Sequence, residues 1–537
     1  MATLKSLIDT QSSEFSSNKE SMLEAVDGFR GIENKVVETA LAVKERYAKR
    51  GMLLPSERLN LLLDQGAPFL ELSSLAGFML YDDKDGTGAG AGCIAGIGYV
   101  SGVRCMVVVD NFAIKGGTIS PSGLEKKLRL QEIARENKLP IISLAQSGGA
   151  NLTYAAQLFV QGGRGFANQA RLSAAGIPQI TVVHGSATAG GAYQPGLSDY
   201  VIMVRRQATM YLAGPPLLRA ATGEIAADEE LGGAEMHTAE SGVGDYLAEN
   251  DLDSIRIARE IMAQLPWNEQ LSATTRATFK EPLYSPEELI GVVPKESKKP
   301  YDSREIIARI ADGSEFLDFK PAYDSQTVCG HIKIEGHACG VIANNGPITS
   351  SGACKAAQFI QLCEQTNIPL LFLHNITGFI VGTDPERNGI IKHGSKLIQA
   401  VANAKVPKLS INVGGSYGAG NYAMCGRGFD PRFLFCWPNS RTSVMGGAQA
   451  GMVLRIVAEA KMKKAGQVDK AKLDAMEKNT CAMLEQQTTA LASTARMEDD
   501  GLIDPRDTRK ILGYLLDICR ESERRELRVN TFGVARF

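Results

Sequence analysis

The two halves of this chain carry one pattern twice, and that repeat constrains its fold more than any other feature. Shifting the sequence by 229 positions places Pro140 on Pro369, Gly149 on Gly378 and Pro178 on Pro407. The longest correspondence sets HGSATAGGAYQ, from His184, against VGGSYGAGNYA, from Val413. Gly190 and Gly191 then fall on Ala419 and Gly420, and Tyr193 falls on Tyr422. Side chains diverge between the copies while glycine and alanine persist. Backbone needed at close range accounts for this, because a Cβ would keep a ligand away from the N–H groups. Two such turns predict two anion-stabilising sites, and so a reaction with two developing oxyanions.

At 537 residues the chain exceeds what one hydrophobic core usually supports, and the repeat fits two domains. We place these at residues 1–280 and 290–537, around a segment from Pro266 to about Ser303 that is rich in proline and holds the charged run KESKK. Lys and Arg total 58 against 60 Asp and Glu, and aromatics are 6%, which argues against nucleic acid and anionic membranes as partners. The ten cysteines form no CxxC pair, so reduced thiols are expected rather than a disulfide framework or zinc ribbon. The first residues, MATLKSLIDTQSSEFSSNKE, are polar and include acids, unlike a signal or transit peptide. The expectation is a cytoplasmic protein.

Apolar spacing of three and four through VVETALAVKERYAKR, with Pro55 opening PSERLNLLLD, predicts helices up to about Asp64. A hairpin with its turn at Ser101-Gly102 follows, then helical SGLEKKLRLQEIARENK, a buried strand in PIISLAQ, helical FVQGGRGFANQARLSAAG and the strand PQITVVHG. Strands that alternate with helices and end in glycine turns predict an α/β architecture with a mainly parallel sheet. The second half repeats the order: GHIKIEGHACGVIANN answers IGYVSGVRCMVVVDN, and TNIPLLFLHNITGF answers NKLPIISLAQSGGA. The charged helical stretch from about Glu459 to Glu485 has no clear counterpart and reads as an insertion.

No side-chain catalyst stands out. The six histidines (His184, His237, His331, His337, His374, His393) lack metal-ligand spacing, and no metal site is expected. There is no G-x-S-x-G elbow, no phosphate loop and no H-E-x-x-H. What remains is the pair of turns at Gly190-Gly191 and Ala419-Gly420, whose N–H groups would open a helix and face an oxyanion. Dipoles of this kind stabilise an enolate, and the missing base would have to come from the substrate or cofactor.

The strings KGGTISPSG at Lys115, ATAGGAYQPGLSDY at Ala187, YLAGPPLLRAATGE at Tyr211, NITGFIVG at Asn375 and GGSYGAGNYAMCGR at Gly414 resemble biotin-dependent acyl-CoA carboxylase β subunits, the carboxyltransferase chains. The resemblance covers almost the whole chain, and NITGF, SYGAGNYAMCGR and SVMGG are similar to the 3-methylcrotonyl-CoA and geranyl-CoA branch. It implies two tandem crotonase-like domains, with an active site between the N half of one subunit and the C half of another. It implies that Gly190 and Gly191 hold the thioester oxygen of the acyl-CoA, with Lys115, Gly148, Gly149, Gly162, Ala167 and Gly214 on the same side. Ala419 and Gly420 would hold the ureido oxygen of biotin, beside Gly378, Phe379, Tyr417 and Gly446. Carboxybiotin would release CO2, and the biotin enolate would take the substrate proton, which fits the absence of a side-chain base. The chain has no A-M-K-M biotinylation site, AKMKK at Ala460 and DAMEK at Asp474 being imperfect, and no ATP-binding domain. A biotin-carrying, ATP-dependent biotin carboxylase α subunit is therefore implied as partner, with a hexamer of this chain.

Within that branch the acyl group turns on SGGANLTYAAQLFVQGGRGFANQA. Relatives acting on 3-methylcrotonyl-CoA are expected to have Phe where Gly162 stands and a larger residue at Ala167. Three glycines in four helical positions cost about 1 kcal/mol each against alanine, so they need a reason. Loss of the ring would admit the five extra carbons of a geranyl chain, worth about 4 kcal/mol if buried. The expectation is a geranyl-CoA carboxylase β subunit. Its rivals are a 3-methylcrotonyl-CoA carboxylase β subunit, a glutaconyl-type decarboxylase subunit and a non-catalytic CoA-binding scaffold.

Overall fold

The computed structural model of the chain describes residues 2–269, 271, 278–296, 299–466 and 468–534. It divides into two compact units, one of Arg30–Thr274 with Ala495–Met497 and Ile518–Phe537, the other of Met1–Phe29, Thr275–Thr494 and Glu498–Asp517. Each terminal segment thus belongs to the unit formed mainly by the opposite half.

In the first unit β1 (Cys93–Val100) and β2 (Val103–Asp110) form an antiparallel hairpin, with Ser101 and Gly102 both at positive φ in its two-residue turn. Every residue of β2 is buried, as its apolar run VRCMVVVD requires of a strand covered on both faces. β3 (Ile141–Ser147), β4 (Gln179–Thr188) and β5 (Tyr200–Val204) continue from β2 in parallel. The short β6 (Thr209–Tyr211) pairs with the last residues of β4. Helices α1 (Pro121–Glu136) and α2 (Ala155–Ala174) make the crossovers. Ser120 caps α1 by accepting from the Gly123 amide, with Pro121 in the first turn. α2 stays helical through Gly162, Gly163 and Gly165 because Leu158, Gln169, Leu172 and Ser173 bury its inner face, while Gln131 Nε2 donates to the Gly165 carbonyl at 3.1 Å. Leu59, Leu62, Val107, Ile142, Leu144, Ile180, Val182 and Ile202 build the core.

The unit is completed by α3 (Gly190–Gly196), α4 (Pro215–Thr222) and α5 (Asp251–Gln264). Its last residues are anchored by the Arg104–Glu521 ion pair at 2.6 Å and by the Arg525 guanidinium over the Trp267 ring at 4.5 Å.

The second unit repeats the plan with β7 (Thr327–Ile334), β8 (His337–Asn344), β9 (Leu370–Ile376), β10 (Lys408–Tyr417), β11 (Phe433–Cys436) and β12 (Arg441–Ser443). Its helices are α6 (Ser350–Gln365), α7 (Ile390–Asn403), α8 (Gly418–Ala423), α9 (Gly447–Lys464) and α10 (Lys470–Gln487). β3 and β9, β4 and β10, and α1 and α6 coincide end for end at the 229-residue offset. Even the bulges recur, between Ala145 and Ser147 and between His374 and Ile376. The connection after β2 differs: ten residues separate Asp110 from Pro121, whereas five separate Asn344 from Ser350. The extra length contains Lys115-Gly116-Gly117.

One expectation needs correcting. The segment read as a linker is partly core, since Leu289, Ile290 and Val292 are buried in a helical turn. The charged insertion forms the hairpin α9–α10, where Gly447 and Gly451 leave room for close approach: a Cβ on either would lie 2.8–2.9 Å from the carbonyls of Cys481 and Glu477. Among the described residues no helix is long and apolar enough to cross a membrane.

Candidate functional site

Both glycine turns lie where a central parallel strand ends and a short helix begins, the edge at which open α/β sheets bind ligands. β4 ends at Thr188, Ala189 turns the chain with φ 52 and ψ −122, and α3 starts at Gly190. In the second unit Gly418, the counterpart of Ala189, has φ 54 and opens α8. An alanine is thus held where its repeat partner is glycine, a conformation L-residues adopt only under constraint. The Ala189 amide donates to the Tyr211 carbonyl at 3.0 Å, which pins the turn to β6. The first N–H groups of α3 and α8 have no acceptor inside their own helices.

The turns are not equivalent. Gly190 and Ala419 are exposed, Gly191 is half-buried and Gly420 is buried. Among the described residues, a Cβ at Gly191 would meet no atom within 4 Å beyond its own helix backbone and chain neighbours, so packing does not require glycine there. At Gly420 a Cβ would stand 2.8 Å from Ile376 and 3.0 Å from the Gly378 Cα, so packing alone requires it. The shared glycine has two physical causes.

Neighbouring loops repeat as well. The Ile119 amide donates to the Gly149 carbonyl at 2.9 Å, and the Ile348 amide to the Gly378 carbonyl at 3.1 Å. Gly148 and Gly149 lie beside the first turn, but their amides are engaged by the Gly116 carbonyl and the Ser147 hydroxyl, both at 3.1 Å. They can shape a site without donating to a ligand. Lys115 Nζ donates to the Asp82 carbonyl at 2.7 Å, linking its loop to the segment around Asp82. Gly378, at φ 130, would project a Cβ into open space next to Gly420, which leaves a cradle there. The Phe379 ring packs on Gly394 of α7, whose Cβ would lie 2.9 Å from it, and so is largely a core group. Tyr417 precedes α8 and is half-buried, with burial raising its phenol above the usual range. Gly214 and Gly446 cap α4 and α9, which follow β6 and β12.

Gly162 and Phe166 are one turn apart on α2, and the Phe166 ring lies 3.6 Å from a Cβ built on Gly190. Among the described residues, no atom outside the local helix backbone and the two chain neighbours comes within 4 Å of a Cβ at Gly162 or Gly163. Phe166 packs on Tyr193 with ring centroids 5.7 Å apart, and Tyr193 is 50% exposed. Ala167, half-buried, is the next residue on α2. Phe166 and Tyr193 therefore form an apolar floor next to Gly190. Sequence reasoning passed over Phe166, although it stands inside the motif that singled out Gly162 and Ala167.

Behind the first turn runs a buried polar chain. His184 Nδ1 donates to Asp251 Oδ1 at 2.7 Å, Arg58 Nε donates to Asp251 Oδ2 at 3.0 Å, and Arg58 Nη1 donates to Gln146 Oε1 at 2.7 Å. Burial pushes His184 down to about 4, the Arg58 charge acting in the same direction against the Asp251 hydrogen bond. Burial alone would raise Asp251, but His184, Arg58 and the Leu53 amide hold its carboxyl below the usual range. The arrangement is a neutral imidazole on an ionised carboxylate, sealed from solvent: it can position β4 but cannot reach a substrate. In the second unit His374 Nδ1 lies 2.9 Å from the Ser416 hydroxyl, which accepts from Asn421 Nδ2 at 2.8 Å, and burial pushes His374 down to about 3.

The carboxyl transferase domain model matches residues 46–533. The chain belongs to the carboxyl transferase family. A crystal structure of the geranyl-CoA carboxylase β subunit from P. aeruginosa is 65% identical and covers 100% of both chains, with a TM-score of 0.95. A probable mitochondrial methylcrotonoyl-CoA carboxylase β chain of Drosophila melanogaster is 46% identical over 98% of this chain and 95% of its own. The biotin-dependent 3-methylcrotonyl-coenzyme A carboxylase β1 subunit of Mycobacterium tuberculosis is 48% identical over 91% of this chain and 93% of its own. This carboxyl transferase is a β subunit of the biotin-dependent acyl-CoA carboxylase class, an enzyme chain with the tandem α/β architecture that the resemblance implied.

Proposed function

We propose that this chain moves CO2 from biotin on a partner subunit to the vinylogous 3-methyl carbon of geranyl-CoA. The observation that carries the reading is the open space over Gly162 and Gly163 among the described residues, on the helix whose Phe166 ring borders the position a Cβ of Gly190 would take. An acyl carbonyl at the first turn would send its chain over the Phe166–Tyr193 floor, and a longer isoprenoid chain finds no side chain in its way at Gly162. The 65% identity to a geranyl-CoA carboxylase β subunit supports the same choice.

In this reading the N–H groups at Gly190 and Gly191 take up the charge that develops on the thioester oxygen, while Lys115, Gly148, Gly149, Gly162, Ala167 and Gly214 shape the acyl-CoA side. The turn at Ala419 and Gly420, exposed at Ala419, with the cradle at Gly378 and with Phe379, Tyr417 and Gly446 around it, fits the flat ureido ring of biotin. Biotin, when bound, supplies the activated CO2 and the base that takes the methyl proton. Both turns act by fixed backbone dipoles that need no reorganisation during the reaction, and alignment of the two bound reactants adds further acceleration. The reading assigns a biotin-bearing, ATP-dependent α partner, a hexamer of this chain, a cytoplasmic setting, and an active site that joins the N half (1–280) of one copy to the C half (290–537) of another.

Fixation of labelled bicarbonate by the copurified holoenzyme with ATP tests this, comparing geranyl-CoA with 3-methylcrotonyl-CoA. Label on geranyl-CoA is the expected result. Label on 3-methylcrotonyl-CoA alone would keep the chemistry and overturn the acyl assignment.

A further inference from the structure

We propose that His374, Ser416 and Asn421 are positioning residues that fix the aim of the second turn on its ligand. This rests on reading that turn as the one that takes biotin. Asn421 Nδ2 donates to Ser416 Oγ at 2.8 Å, which leaves the hydroxyl proton for His374 Nδ1 at 2.9 Å. Burial holds His374 down at about 3, so the ring is neutral near pH 7 and Nδ1 can accept. Ser416 and Asn421 bracket the turn, with Tyr417, Gly418, Ala419 and Gly420 between them. A side-chain bond across a turn restricts where its N–H groups point, and preorganised dipoles depend on that direction. The β9–β10 ladder breaks between His374 and Ile376 and resumes at Ser416. The His374–Ser416 bond therefore spans a gap that the backbone bonds leave open.

The first unit has the same bulge and the same turn without this chain. At the 229-residue offset Ala145, Ala187 and Ala192 stand where His374, Ser416 and Asn421 stand, and all three alanines are buried. The strand–turn–helix backbone does not itself demand polar side chains at these positions. Burying them costs desolvation that alanine avoids, so their joint presence in one copy needs a reason beyond packing. The first turn has a backbone tie, from the Ala189 amide to the Tyr211 carbonyl at 3.0 Å. In the second unit the surroundings are fitted to the chain. A Cβ at Gly426 would strike the Asn421 carboxamide, so glycine there leaves it room. At the far end of α8, Asn344 Nδ2 donates to Met424 Sδ at 3.4 Å and joins that end to β8.

The test uses the holoenzyme with its biotin-bearing partner. Ser416→Ala and Asn421→Ala should each lower kcat for labelled-bicarbonate transfer to the acyl-CoA by about ten- to a hundredfold. KM for the acyl-CoA should stay unchanged, because the first turn is untouched. Label retained on the partner's biotin without acyl-CoA should match the wild type. The triple change His374→Ala, Ser416→Ala and Asn421→Ala copies the first unit and should lose no more than the single changes, since one broken link disables the chain. Hydrogen exchange of the backbone at 417–425 should quicken in all three variants. A kcat near that of the wild type, a raised KM for the acyl-CoA, or unchanged exchange at 417–425 would each overturn the proposal. Losses that add from site to site would also overturn it, because the residues would then act separately. Wild-type transfer to 3-methylcrotonyl-CoA alone would overturn the acyl assignment instead, and the same comparison runs on that substrate. Transfer to neither would count against the proposed function, and hydrogen exchange would still decide whether the chain holds the turn.

Discussion

Ala189 sits at φ 52 and ψ −122 while its repeat partner Gly418 meets the same turn without a Cβ. Strain of this kind costs about 1–3 kcal/mol. Ala189→Gly should therefore raise stability by about 1 kcal/mol in a chemical melt while activity is kept, and Ala189→Val should lower it. Gly191 is the cleaner probe of the chemistry, because its surroundings are open. Gly191→Pro removes one N–H in the first helical turn, where proline is tolerated, and should lower kcat by about 100- to 1000-fold with the melting temperature little changed. The same change at Gly420 would not be informative, since any Cβ there strikes Ile376 and Gly378. Ala419, exposed on the same turn, is the position to alter in the second unit. At Gly162 the expectation is a switch: Gly162→Phe should abolish turnover of geranyl-CoA and spare 3-methylcrotonyl-CoA, and retained geranyl turnover would remove the pocket argument.

At the scale of elements, the two central strands rest on buried histidines that differ in kind. His184 leans on the ionised Asp251, and His374 on the Ser416 hydroxyl. Burial leaves His374 at about 3, against about 6.5 for a free imidazole. Between those values the unfolded chain binds a proton that the folded chain refuses, so stability rises with pH across that window. It is complete above about pH 6.5 and falls by about 1.4 kcal/mol per pH unit for each such histidine as pH drops. Denaturant midpoints from pH 7 to pH 4 should show this slope, and His374→Gln should remove its own share of it, leaving that of His184, whatever it does to the midpoint itself. None of this was legible in the sequence, where His184 and His374 do not share a repeat position and Arg58 stands 193 residues from Asp251. The strands themselves were legible, because an apolar run closed by a glycine turn is a local signal. So was the repeat, which predicted the coincidence of β4 with β10. The cause of each glycine was not, since open space at Gly191 and a clash at Gly420 depend on neighbours that only the fold supplies.

Across the whole molecule, residues 1–29 fold with the unit of the second half and residues 518–537 with that of the first. An amphipathic helix shows that it has a face to bury but not which sheet will receive it, so the division at 280–290 read from proline and charge did not foresee this exchange. The same limit applies to the proposed active site, whose two turns fall in different units. If an N half from one copy works with a C half from another, two disabled chains can repair each other. A chain carrying Gly191→Pro keeps an intact second turn, and a chain carrying Ala419→Pro keeps an intact first turn. Coexpressed with the biotin-bearing partner, the two should assemble sites in which both turns are wild type. With random pairing, about a quarter of the sites would be of this kind, so labelled-bicarbonate fixation should return to about a quarter of the wild-type rate. Each variant expressed alone should stay near background. Coexpressed chains that stay at background while assembling normally would mean that both turns of one site come from a single copy. Recovery near a quarter would instead fit a site in which each half supplies fixed dipoles and the reacting groups arrive with the two ligands.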